Sequence, residues 1–155
     1  MSSLIGFKLS KSRSTIISNF ESQIKNILNT LGMPHAIFKV CFEKTSNFNI
    51  KGSDNIVFKF SSNPGVNEQE ISKVASGGEL SRLMFSIKST IANKMSLPTI
   101  LFDEIDTGVS GKIAHKMGEL MGQLSKDFSM QVISITHLPQ VAAKGDAHML
   151  SLIHI

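Results

Sequence analysis

The run Pro98-Thr-Ile-Leu-Phe-Asp-Glu-Ile-Asp106 passes from four apolar or β-branched positions straight into acidic ones. Thr99, Ile100, Leu101 and Phe102 show no polar alternation, which predicts a strand at 99–103 buried on both faces, as in a parallel sheet covered by helices. Pro98 ends what precedes it, because it lacks an N–H and biases its neighbour away from helix. Elsewhere the spacing is helical. Leu9, Ile16, Phe20, Ile24, Ile27, Leu28 and Leu31 recur at steps of mostly three and four. They predict an amphipathic helix of about 20 residues ending at Gly32, with Lys8, Lys11, Arg13 and Lys25 on a solvated polar face. After Pro34, Val40 and Phe42 alternate with Lys39 and Cys41 in a strand at 36–43. Asn47 to Asn55, with Gly52-Ser-Asp54, has loop composition, and Asn55 to Phe60 reads as a second strand antiparallel to the first. Ser61 to Gly65 is a turn, and the polar stretch to Glu70 a loop.

From residue 76 the period is helical again. Leu80, Leu83, Met84, Ile87, Ile91 and Met95 form one apolar stripe of a helix at 79–95. Ile113, Met117, Leu120, Met121 and Leu124 define another from 110 to 126, with Ser110 as its N-cap. The methionines on these stripes are core packing. Gln131 to Thr136 is a further buried strand, so 99–103, 110–126 and 131–136 make a right-handed parallel βαβ unit. Its two strands end at one sheet edge. That topology brings His137 close to Asp103 and Glu104.

The 155 residues suffice for one domain or part of a larger one, and 41% hydrophobic and 18% charged residues are values of a globular chain. No apolar run reaches the roughly 18 residues of a membrane span, and the start has no signal-peptide pattern. A single cysteine, Cys41, excludes an intramolecular disulfide and a cysteine-based metal site, and fits a reducing cytoplasm. The net charge of +4 is concentrated early, with eight basic against five acidic residues in 1–70 and eight against seven in 71–155. That excess permits nucleic-acid contact without requiring it.

The candidate chemistry lies in three places. Asp103 and Glu104 fall at a strand's carboxyl end, where open α/β sheets bind ligands. There an Asp can support a hydrated Mg²⁺ and a Glu can orient or deprotonate a water. An acidic turn would look the same in isolation. Ser76-Gly77-Gly78-Glu79 opens a helix with capping-box spacing, and its glycines allow backbone N–H groups close to an anion such as phosphate. His137 at its strand tip is either a turn histidine or a polar contact to a terminal phosphate. His35, His115, His148 and His154 have no partners at metal-ligand spacing. Gly108-Val-Ser-Gly111-Lys112 fails as a phosphate loop, since GxxxxGK[ST] needs Gly at 106 and Ser or Thr at 113, where the chain has Asp106 and Ile113.

In order and spacing, Ser76 to Glu79, Ile100 to Glu104, Asp106 and the strand ending in His137 resemble the signature motif, Walker B, D-loop and H-loop of ABC-type ATPases. More narrowly, Lys73-Val-Ala-Ser-Gly-Gly-Glu-Leu-Ser-Arg82, Phe102 to Gly111 and Thr136-His-Leu-Pro-Gln-Val-Ala-Ala-Lys-Gly145 resemble the RecN family, SMC-like ATPases of bacterial double-strand-break repair. The resemblance covers about residues 9 to 149 of the chain. It implies an α/β fold, the C-terminal half of a P-loop NTPase head of ABC/SMC type. Residues 1–32 would be the end of a coiled-coil arm and 33–155 an incomplete half-head. It implies ATP and Mg²⁺ as cofactors, Asp103 holding the Mg²⁺ shell, Glu104 as general base and His137 on the γ-phosphate side. Asp106 would help join two heads, and Ser76, Gly77, Gly78 and Glu79 would contact ATP on the opposite head. The partners implied are the head's N-terminal lobe, a second identical head, and DNA through the assembled protein, in the cytoplasm at the nucleoid.

The chain departs from that pattern in lacking the Walker A loop, the Q-loop and most of the coiled coil, and in its ending Met149-Leu-Ser-Leu-Ile-His-Ile155. It reads as a fragment or one piece of a split gene, inactive alone and poorly soluble through an uncovered apolar face. A non-catalytic head-pairing module, and a piece of another SMC or ABC-type head, are the alternatives.

Overall fold

The computed structural model describes residues 2–49, 52–63, 65, 67–74 and 76–150, with side chains for all but 2–4 and 44–49. Pro64 of the predicted turn and His154 lie outside the described residues. The chain forms two compact units, Met1–Leu80 and Ser81–Ile155.

In the first unit, helix α1 (Ser2–Thr30) leads into β1 (Ile37–Asn49), β2 (Gly52–Ser61) and the two-residue β3 (Gln69–Glu70), followed by a 3₁₀ turn at Ile71–Lys73. The three strands form an antiparallel sheet in the order β1-β2-β3. Gly32 ends α1 as its sequence position predicts. At φ 78° it lets Met33 N–H donate to Leu28 O at 2.9 Å and Gly32 N–H donate to Asn29 O at 3.1 Å, the two bonds of a Schellman motif. Ile24, Leu28 and Leu31 are fully buried. Phe20 of α1, Phe38 of β1 and Phe58 of β2 form an aromatic cluster, with ring centroids 5.6 to 6.4 Å apart. Near the other end of the helix, Asp54 receives Arg13 Nη1 at 2.9 Å, and the Ser10 hydroxyl lies 2.6 and 2.8 Å from its two oxygens.

Three sequence expectations need correction here. The helix is 29 residues long, because helical geometry continues through Ser2 to Lys8, where apolar spacing alone gives no period. The stretch around Gly52-Ser-Asp54 is strand and not loop: Lys44 pairs with Asp54 and Asn49 with Gly52, so polar residues extend the hairpin through backbone pairing. The polar loop before Glu70 contains β3, which adds to the edge of β2 at Lys59 and Phe60.

The second unit carries most of α2 (Gly77–Lys94), then β4 (Thr99–Asp103), α3 (Gly111–Phe128), β5 (Gln131–Ile135) and a single turn, α4 (Pro139–Ala142). β4 and β5 pair in parallel, Thr99 with Gln131 through Asp103 with Ile135, so the βαβ unit stands as the periodicity predicts. Phe102 is fully buried, with the Phe85 ring of α2 5.1 Å from it. The expectation of burial on both faces does not hold. Leu101, Ile133 and Ile135 are 52%, 44% and 51% exposed. Paired residues of a parallel ladder share a face, so these three form one uncovered apolar surface, while Phe102 points to the covered one. The buried side of α2 also differs from the expected stripe. Phe85, Ser86, Ser89, Thr90 and Ala92 are buried, whereas Ile91 and Met95 are exposed. Ser86 and Thr90 fit the interior because each hydroxyl donates to the carbonyl four residues earlier, at 2.8 Å.

Candidate functional site

Everything the sequence marks as reactive in the second unit follows from where β4 and β5 stop. β4 ends at Asp103 and the chain turns sharply at Glu104, which has φ 45°, a left-handed value that costs an L residue about 1–2 kcal/mol. Hydrogen bonds hold it there. The Glu104 N–H donates to Ile135 O at 3.0 Å, extending the β4–β5 ladder by one rung. The Glu104 carbonyl accepts from Thr107 N–H at 3.1 Å and Thr107 Oγ1 at 2.8 Å. The Thr107 carbonyl in turn accepts from Ser81 Oγ of α2 at 2.9 Å. The backbone of Glu104 is therefore fixed from both sides, while its side chain is exposed, as is that of Asp103. Strain of this kind survives only where surrounding bonds over-determine it, and it clusters at functional sites.

Beyond Glu104 the turn closes on itself. Ile105 and Val109 are buried, and Val109 N–H donates to Asp106 O at 3.0 Å. Gly108 and Gly111 have φ 73° and 54°, left-handed values that favour glycine and account for both without a phosphate's approach. Ser110 occupies the N-cap position of α3 with extended backbone, but its hydroxyl makes no cap bond. The Asp106 side chain is 1% exposed. One of its oxygens accepts the Thr136 hydroxyl.

β5 ends one residue earlier than the apolar run predicts, and Thr136 becomes the first residue of a turn. Its Oγ1 accepts Leu138 N–H at 3.0 Å, which leaves His137 exposed at the tip. Because Asp103 pairs with Ile135, the Asp103-Glu104 and His137 segments emerge side by side from one edge of the sheet. Ser76 to Glu79 lies in the first unit at the start of α2. Glu79 N–H donates to Ser76 Oγ at 3.4 Å, one arm of the predicted capping box, and Leu80 N–H donates to Ser76 O at 3.0 Å. A Cβ added at Gly77 would meet nothing within 4 Å, so that helix start is open to a ligand's approach.

Among the described residues no three His, Cys, Asp or Glu side chains converge on a metal-sized site. That donor set does not suit an all-protein cage. The exposed carboxylates of Asp103 and Glu104 would fit a largely hydrated Mg²⁺, which needs only one or two. Of the other histidines, His115 pairs with Glu119 at 3.1 Å within α3, beside Lys116 and Lys144, so a carboxylate partner missed by the sequence reading exists and is structural. The Lys116 bond, more than the surrounding charges, holds the Glu119 carboxyl below its usual range. Sequence reasoning passed over Thr136, Thr107 and Ser81. A hydroxyl residue two positions before an N–H in a turn, as in Thr136-His-Leu138, is the one available signal, and it is common.

No family model matches the chain. It is 44% identical over 145 residues to the DNA repair protein RecN of Rickettsia bellii, covering 94% of this chain and 26% of that protein. It is 38% identical over 145 residues to RecN of Halalkalibacterium halodurans, covering 91% and 25%. RecN of Vibrio cholerae matches at 41% over 139 residues, covering 89% and 25%. The chain thus spans about a quarter of the length of the curated relatives it matches. Among solved structures, the SMC head bound to the C-terminal winged-helix domain of ScpA superposes with a TM-score of 0.66 at 21% identity, covering 86% of this chain and 38% of that one. The Pyrococcus furiosus SMC head with an extended coiled coil gives 0.64 at 20% identity, covering 82% and 30%. These likenesses establish the fold as that of SMC-type heads.

Proposed function

The chain is related to the RecN DNA repair proteins over the quarter of their length that it spans, and on that premise we propose that it supplies half of a composite ATP-hydrolysing site in an SMC-like repair ATPase. The observation that carries the reading is Glu104. A carboxylate at a strand's carboxyl end, exposed on a strained backbone that bonds pin on both sides, is a group held out for chemistry.

In this reading Glu104 orients the attacking water and takes its proton, and Asp103 beside it would hold the hydration shell of Mg²⁺. The chemistry Mg²⁺ would supply there is positive charge against the negative charge that develops on the phosphates. His137 meets the terminal phosphate from the neighbouring strand end. Ser76, Gly77, Gly78 and Glu79 present a helix N-terminus to ATP held by a second head, where backbone N–H groups and the helix dipole favour an anion. A phosphate-cradling loop is contributed by a segment outside these 155 residues, the head's N-terminal lobe. Residues 1–32 belong to the arm and 33–155 to the head, DNA is met by the assembled protein, and the setting is the cytoplasm.

SMC ATPases whose solved structure shares this fold, with a TM-score of 0.60 at 22% identity, undergo ATP-driven dimerization and DNA-stimulated activation. That is a property of those ATPases, and it supports a two-headed site here. The test is Mg²⁺-dependent phosphate release by the chain alone and mixed with a separately made N-terminal lobe. Turnover only in the mixture, and its loss with Glu104→Gln, is expected. Turnover by the chain alone would contradict a half-site. A folded, associated mixture without turnover would favour a non-catalytic head-pairing module.

A further inference from the structure

The Thr136 hydroxyl works twice. It donates to Asp106 Oδ2 and accepts Leu138 N–H, so it closes a turn whose central residue is His137. Asp106 is buried, and its other oxygen, Oδ1, has no hydrogen-bond partner among the described residues. A buried carboxylate is costly to keep half-satisfied, and packing alone would be served as well by an apolar residue of similar volume. What the acid adds here is an acceptor that fixes the direction of the Thr136 O–H. Once that hydrogen is committed to Asp106, the hydroxyl's lone pairs face Leu138 N–H. Asp106 is also two residues beyond Glu104, on the turn that Thr107 and Ser81 brace.

We infer that Asp106 and Thr136 are positioning residues that lock the His137 turn to the Glu104 turn, so that the two strand ends move as one. This differs from the head-joining role that the family resemblance implies for Asp106, since a side chain 1% exposed and bonded inward is committed within its own chain. Thr136 is a residue that no motif assigns. The functional meaning of the lock rests on the proposed role of His137, but its geometry can be tested without nucleotide.

The experiment is amide hydrogen exchange at Leu138, read at residue resolution by mass spectrometry on the full 155-residue chain at high dilution. Thr136→Val keeps the shape and removes the hydroxyl, and is expected to speed Leu138 exchange by about tenfold. Thr136→Ser restores the hydroxyl and is expected to keep the wild-type rate. Asp106→Asn retains an acceptor oxygen and should stay close to wild type, whereas Asp106→Leu should match Thr136→Val. The Met121 amide in α3 reports general loosening and is expected to hold its rate throughout. Unchanged Leu138 exchange in Thr136→Val, or equal acceleration in Thr136→Ser, would overturn the inference. Should Asp106→Leu not fold, the Thr136 pair decides by itself. In the assembled ATPase, Thr136→Val should lower kcat with KM for ATP little changed, and Thr136→Ser should restore it. Absence of turnover in the wild-type mixture would remove the role proposed for His137 and leave the exchange result standing.

Discussion

At the scale of single residues, the acid that matters most is the one whose backbone is least at ease. Glu104 holds φ 45°, and releasing that strain with Glu104→Gly should raise stability by about 1 kcal/mol while lowering turnover of the assembled site roughly 10²- to 10⁴-fold. Glu104→Gln should show the same loss of turnover and no gain in melting temperature. Thermal melts set beside phosphate release separate the two effects, and a Gly variant no more stable than wild type would show that Glu104 is not strained. The acid pair and His137 were legible in the sequence because their residue types sit at the ends of apolar runs. The left-handed turn was not, since Glu is an unlikely residue for positive φ and only the flanking bonds impose it. Asp106 could be marked as an acid near the site, but it is buried and bonded to Thr136, thirty residues away, which local sequence does not reveal.

At the scale of elements, helix ends and helix crossings set the stability. Ser129 follows α3 at φ 50°, where glycine is the residue that fits, so Ser129→Gly should stabilise the chain by about 1 kcal/mol in denaturant melts. Gly118 in α3 faces α4 closely. A Cβ there would lie 3.3 Å from Gln140 O and Val141 Cα and 2.9 Å from Lys144 Cγ. The lysine can swing aside but the α4 backbone cannot, so Gly118→Ala should cost about 1–3 kcal/mol. The ion pair beside that crossing adds a pH term of known sign. The Glu119 carboxyl lies below its ordinary value of 4.5, chiefly through the Lys116 bond, so its contribution is full above that value and fades as pH falls through the lowered one. Glu119→Gln should lower stability slightly at neutral pH, where the contribution is full, and leave it unchanged at low pH, where it has already faded, so the acid side of the profile flattens. Helices and the parallel pair were readable because their periods are carried by side chains. The hairpin around Gly52 and the β3 edge were not, because they are built from polar residues whose pairing leaves no apolar period. Strand β4 was read as doubly buried because an unbroken apolar run does not tell which covering elements belong to the same stretch of chain.

At the scale of the whole molecule, Leu101, Ile133 and Ile135 leave an apolar face of the parallel pair uncovered. Isolated chain should therefore self-associate, as static light scattering would detect, and the N-terminal lobe should suppress it. Ile133→Lys should reduce the self-association and weaken binding of that lobe, whereas monodisperse wild-type chain would count against an uncovered interface. In the proposed site Glu104 serves the water and not the nucleotide. The most direct test mixes Glu104→Gln chain with the N-terminal lobe, adds labelled ATP and Mg²⁺, and identifies the bound nucleotide after rapid quenching. ATP should be bound as tightly as by the wild-type mixture and recovered intact, where wild type yields ADP. ADP formed at the wild-type rate, or loss of ATP binding, would contradict that role.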